Sequence, residues 1–108
     1  LILGLSFKED CPDIRNTKVT DIIKELREYN CKVSVHDPWV NKLEAKKEYG
    51  INLLDKIEDN EYDAIIIAVA HKEFKKMGIK KIRALGKSKH VVYDLKYLFS
   101  ATQVDKRL

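Results

Sequence analysis

Apolar residues fall along this chain in five short runs separated by longer amphipathic stretches. Leu1 to Leu5 opens as a run that a serine-containing loop ends, and Lys32 to His36 carries the β-branched Val33 and Val35 before stopping at Asp37-Pro38. Ile51 to Leu54 is weaker, Ala64 to Val69 is the strongest, and Val91 to Tyr93 closes the set. Continuous runs of this length predict strands covered on both faces, as in a parallel sheet. Between them, Lys18 to Tyr29 places Val19, Ile22, Ile23, Leu26 and Tyr29 at helical spacing, with Asn16 or Thr17 available to cap its start and Asn30 to end it. A second helix is predicted from Val40 to Tyr49, stopped by Gly50, and a third from Lys72 to Leu85, interrupted at Gly78.

Alternating strands and helices imply right-handed crossovers, and so a doubly wound α/β domain: a three-layer, Rossmann-like sandwich around a five-stranded parallel sheet in the order 3-2-1-4-5. Ligands of such sheets lie beyond the carboxyl ends of the strands where the order reverses, here between the first and fourth runs. The loops after Leu5 and after Ala70 are therefore the expected site. Residues 1–99 read as the domain, and residues 100–108 as a polar tail expected to fray.

Composition narrows the function classes. A length of 108 residues suits one domain. The longest apolar run, Ala64 to Ala70, spans seven residues, far below the roughly 20 needed for a membrane-spanning helix. Two cysteines without CxxC spacing or a histidine cluster suggest neither a disulfide framework nor a metal site, and a reducing, cytoplasmic setting is expected. The net charge of +4 comes from lysines dispersed along the helices, with no interleaved aromatics, so no nucleic-acid partner is expected. A chain that opens directly in an apolar strand reads as a piece of something longer.

The candidate chemistry concentrates in the loop from Ser6 to Asn16, which holds Lys8, Glu9, Asp10, Asp13, Arg15 and Asn16. It follows the first strand and precedes a helix N-terminus, whose free N–H groups and dipole favour an anion, so a lysine and an arginine there fit a phosphate or diphosphate. A solvated loop with mutually paired charges fits the spacing equally well. No GxGxxG or Walker pattern is present, so the loop is not a standard dinucleotide cradle.

The run Leu3-Gly4-Leu5-Ser6-Phe7-Lys8-Glu9-Asp10-Cys11-Pro12-Asp13-Ile14-Arg15-Asn16-Thr17, followed by Val35-His36-Asp37-Pro38 and Val91-Val92-Tyr93-Asp94-Leu95-Lys96, resembles the C-terminal domain of the UDP-glucose/GDP-mannose dehydrogenase family. Its first loop is most similar to members acting on UDP-N-acetylhexosamines for surface polysaccharides. The resemblance implies a parent enzyme, a homodimer or larger, that oxidises C6 of a nucleotide sugar with NAD. An N-terminal domain would hold NAD, a central domain would supply the cysteine nucleophile, and this domain would grip the substrate's nucleotide. On that reading Phe7, Lys8 and Lys96 contact the UDP-sugar, Arg15 reaches the NAD, no catalytic residue lies in this chain, and the isolated domain is inactive.

Other residues carry plainer readings. Cys11 reads as a non-catalytic loop residue, Cys31 as packing, Asp37 as a turn former, His71 as a helix cap or water-bound surface group, and Trp39 as cover for a hydrophobic seam. His36 and His90 fall at strand ends without identifiable partners. Two alternatives to the dehydrogenase reading are a receiver-like signalling domain, for which Glu9, Asp10 and Lys96 fit superficially, and a structural α/β interaction domain.

Overall fold

In the computed structural model, which describes all 108 residues, the chain runs β1 (Ile2–Leu3), α1 (Val19–Glu28), β2 (Val35–His36), α2 (Lys42–Tyr49), β3 (Tyr62–Ile67), α3 (Lys72–Ala84), β4 (Gly86–Asp94) and β5 (Lys106–Arg107). All ladders are parallel, and the order is β2-β1-β3-β4-β5. Alternation along the strands builds two cores. Ile2 pairs with Ile66 and both face a cluster containing Ile14, Val19, Ile23, Val35 and Ala45, under α1 and α2. Leu3 pairs with Ile67 and both face the opposite cluster, with Phe74, Ile82, Leu85 and Val92, under α3. The result is the predicted three-layer α/β sandwich.

Helix ends follow the sequence signals. Thr17 Oγ1 accepts the N–H of Val19 at 3.2 Å. At the other end of α1, Asn30 adopts φ 64°, the Asn30 N–H reaches the carbonyl of Arg27, and the Cys31 N–H reaches that of Leu26, a complete Schellman closure. Asn41 Oδ1 caps α2 through the N–H of Glu44, and Gly50 ends it at φ 67°. Gly78, at φ 83°, breaks the helical path inside α3, as its sequence predicts.

Two edges differ from the sequence expectation. The run Ile51 to Leu54 makes one parallel bridge, Val35 to Leu53, rather than a ladder, because only Ile51 and Leu53 are buried and Asn52 faces solvent. It still lies beyond β2, so the expected succession of runs across the sheet holds. The tail expected to fray is instead ordered: Val104 is buried, Asp105 Oδ2 accepts the N–H of Val92 at 2.8 Å and pairs with Arg83 Nη1 at 3.0 Å, and β5 follows beside β4.

Gly4 marks the closest approach of the β1 end to the β3 end. It sits at φ +106°, and a Cβ there would lie 2.5 Å from Val69 Cβ. Gly4→Ala is expected to cost at least about 3 kcal/mol in chemical denaturation, combining overpacking with backbone strain. Gly50→Ala, where φ is +67° but no atom lies within 4 Å, should cost only about 1–2 kcal/mol. Equal costs at the two positions would contradict this account.

Candidate functional site

Both strands that flank the site end on a buried aspartate. Asp37, just after β2, accepts the N–H groups of Leu5 (2.7 Å) and Ser6 (3.0 Å) on Oδ2 and that of Trp39 (2.8 Å) on Oδ1. It is thus the turn former its sequence suggested and also the anchor of the loop after β1. Asp94, the last residue of β4, accepts the N–H of Lys96 at 3.1 Å and that of Phe99 at 2.8 Å, folding the following loop around a fully buried carboxylate. Backbone N–H groups that would otherwise lack partners after a strand ends are satisfied this way.

His71 holds the N-cap position of α3, but its side chain makes no capping bond and is fully buried, which corrects its reading as a water-bound surface group. Its Nδ1 accepts the N–H of Asp10 at 2.9 Å, so the ring proton is on Nε2. Nε2 lies 3.0 Å from Asp37 Oδ2 and 3.1 Å from Ser6 Oγ, and that hydroxyl donates to the carbonyl of Lys8 at 3.0 Å. Trp39 stacks on the imidazole with centroids 6.1 Å apart, and its Nε1 donates to Glu73 at 2.8 Å. Asp10 Oδ1 caps α3 through the N–H of Lys72 at 2.9 Å. Sequence reasoning missed this network because the contacts that join its separate segments span 31 to 65 residues.

Held between these anchors is an open groove of about 280 Å³ at the carboxyl ends of β1, β3 and β4, the predicted switch point. Phe7, Lys8, Asn16, Lys18, Val69 and Lys96 are among its walls, with Leu108 at one side. Phe7 is 56% exposed although aromatic, an apolar face left open beside cations. Lys8, Lys18 and Lys96 form no ion pair. The N-terminus of α1 opens into the same groove and adds its dipole. Lys18 was not singled out from the sequence; its place at the helix start, directly after the polar loop, was the available signal.

Arg15 is not part of this groove. Its guanidinium is 84% exposed and forms a two-point pair with Asp13, with Nε 3.0 Å from Oδ1 and Nη2 2.9 Å from Oδ2. Those hydrogen bonds from Arg15 hold the Asp13 carboxyl at a pKa of about 2. Cys11 is half-buried, and Cys31 is exposed rather than packed. His36 and His90 bond through Nδ1 to the carbonyls of Leu54 and Lys87. No helix is long and apolar enough to cross a membrane.

Comparison with known proteins identifies the family and the fold. Residues 1–101 match the profile of the UDP-glucose/GDP-mannose dehydrogenase family, UDP binding domain. The chain is 56% identical over all 108 residues to the UDP-N-acetyl-D-glucosamine 6-dehydrogenases of Salmonella typhi and Pseudomonas aeruginosa, and spans 25% and 26% of their lengths. Its fold superposes on a UDP-D-ManNAc dehydrogenase from Pyrococcus horikoshii with a TM-score of 0.74 at 24% identity, covering 98% of this chain and 24% of that one.

Burial pushes the Asp37 carboxyl upward, but the bonds from His71 and from the N–H groups of Leu5, Ser6 and Trp39 outweigh it, leaving its pKa below the ordinary aspartate value. A carboxyl depressed by folding contributes stability that is complete above its unfolded pKa, about 3.9, and is lost as pH falls through the lower folded value. Asp37→Asn should therefore cost more stability at about pH 7, where that contribution is complete, than at a pH below about 3.9, where it is being lost, as measured by urea denaturation. A loss of the same size at both would contradict the assignment.

Proposed function

As this chain belongs to the UDP-glucose/GDP-mannose dehydrogenase family and spans about a quarter of the curated relatives it matches, we propose that it is the part of a longer NAD-dependent UDP-sugar 6-dehydrogenase that grips the nucleotide of the substrate. The sugar nucleotide is of the UDP-N-acetylhexosamine class, a reading supported by the two relatives at 56% identity. The parent oxidises the C6 hydroxyl to a carboxylate, supplying uronic acids for surface polysaccharide. The observation that carries the reading is the groove itself: three unpaired lysines, a helix N-terminus and an open aromatic face meet where the strand order reverses.

Lys8 and Lys96 neutralise the diphosphate as mobile point charges. Phe7 offers its ring as an apolar contact for the UDP-sugar, and Lys18 adds positive potential at the groove's rim. Arg15 serves a different ligand. Its exposed fork, oriented by Asp13, is free on its remaining edge to meet a phosphate of NAD. The chain carries no GxGxxG run to cradle a dinucleotide. NAD, bound chiefly by the rest of the parent, supplies the hydride acceptor.

Lys8→Ala in the full-length protein should weaken UDP binding by about tenfold to a hundredfold, the equivalent of one charge-assisted contact. Lys96→Ala should do the same. Arg15→Ala should leave UDP affinity unchanged and raise the KM for NAD. Calorimetry with UDP and steady-state kinetics check all three, and unaltered UDP binding in both lysine variants would overturn the assignment.

A further inference from the structure

The network around His71 is not explained by packing alone. A buried imidazole with both nitrogens engaged needs partners, but it does not need them all to belong to one turn. Here they do. Nδ1 takes the N–H of Asp10, Nε2 faces Ser6 Oγ, and through that hydroxyl the ring reaches the carbonyl of Lys8. Asp37, the other partner of Nε2, holds the N–H groups of Leu5 and Ser6. The turn from Leu5 to Asp10 is thus fastened at four backbone points to one histidine–aspartate pair, while Phe7 and Lys8 project from it into solvent. Asp10 is itself at φ 52°, a conformation that a non-glycine residue keeps only when its surroundings hold it.

We propose that His71 is a positioning residue for nucleotide binding: with Asp37 and Ser6 it fixes the backbone from which Phe7 and Lys8 meet the substrate, so that affinity for UDP depends on a side chain that never touches it. This rests on the nucleotide reading above. A turn held in its bound geometry before the ligand arrives loses less conformational entropy on binding. His71 therefore acts through Lys8, and its contribution should vanish when Lys8 is absent.

The test is calorimetric titration of UDP into the full-length protein carrying H71F, H71N, S6A or K8A, and H71F combined with K8A. H71F keeps a ring and removes every polar contact. H71N keeps an acceptor near the Asp10 N–H, and S6A removes only the hydroxyl bridge to the Lys8 carbonyl. Expected results are a roughly tenfold weaker UDP affinity for H71F, smaller losses for H71N and S6A, an unchanged KM for NAD, and no more than about a twofold further loss when H71F is added to K8A. If K8A weakens UDP while H71F and S6A do not, or if H71F costs the same factor with and without Lys8, the positioning role is wrong and the nucleotide reading survives. If K8A itself leaves UDP affinity unchanged, the nucleotide reading fails and this inference fails with it. Should H71F not accumulate as folded protein, S6A alone decides by the same criteria.

Discussion

The structure turns on a carboxylate placed where no water reaches it. Asp37 accepts three backbone N–H groups and faces the imidazole of His71, with its side chain fully enclosed. An ionised group is tolerated there because its lone pairs are satisfied; removing the donors would leave an uncompensated charge in an apolar setting, a far larger penalty than the net gain of any one bond. The cost of burial thus becomes a geometric constraint. The loop after β1 cannot relax without stranding the aspartate, and so it stays.

Asp94 repeats the device on the other side of the groove. Its two oxygens take the N–H groups of Lys96 and Phe99, so the loop after β4 is held at both ends of a short arc. Between the two arcs the side chains that face solvent are cations and an aromatic ring, while the groups that hold them are enclosed. Rigid backbone and mobile lysine tips are a suitable combination for a diphosphate, whose charge is concentrated but whose oxygens rotate.

Much of this was legible in the sequence. The apolar runs gave β1 and β3 their places, Asn30, Gly50 and Gly78 ended or broke helices where their conformational preferences said they would, and the loop's density of charge marked the switch point. What was not legible is long-range or carries no pattern. Lys106-Arg107 has no apolar signal; it becomes a strand because Val104 is buried and Asp105 is tied to Arg83 and the N–H of Val92. Ile51 to Leu54 had the signal but only two buried residues, too few to carry a ladder. His71 looks like any polar residue at a strand's end until Asp37, Ser6 and Asp10 are brought to it by topology.

β5 has one more effect. It is two residues long, both positively charged and exposed, and it forms the outer margin of the sheet. Short, like-charged margins repel a second copy of themselves and offer little backbone for a stranger to pair with. Self-association by sheet extension is thereby discouraged on that side, and a partner that docks there must engage loops and helices rather than prolong the strands.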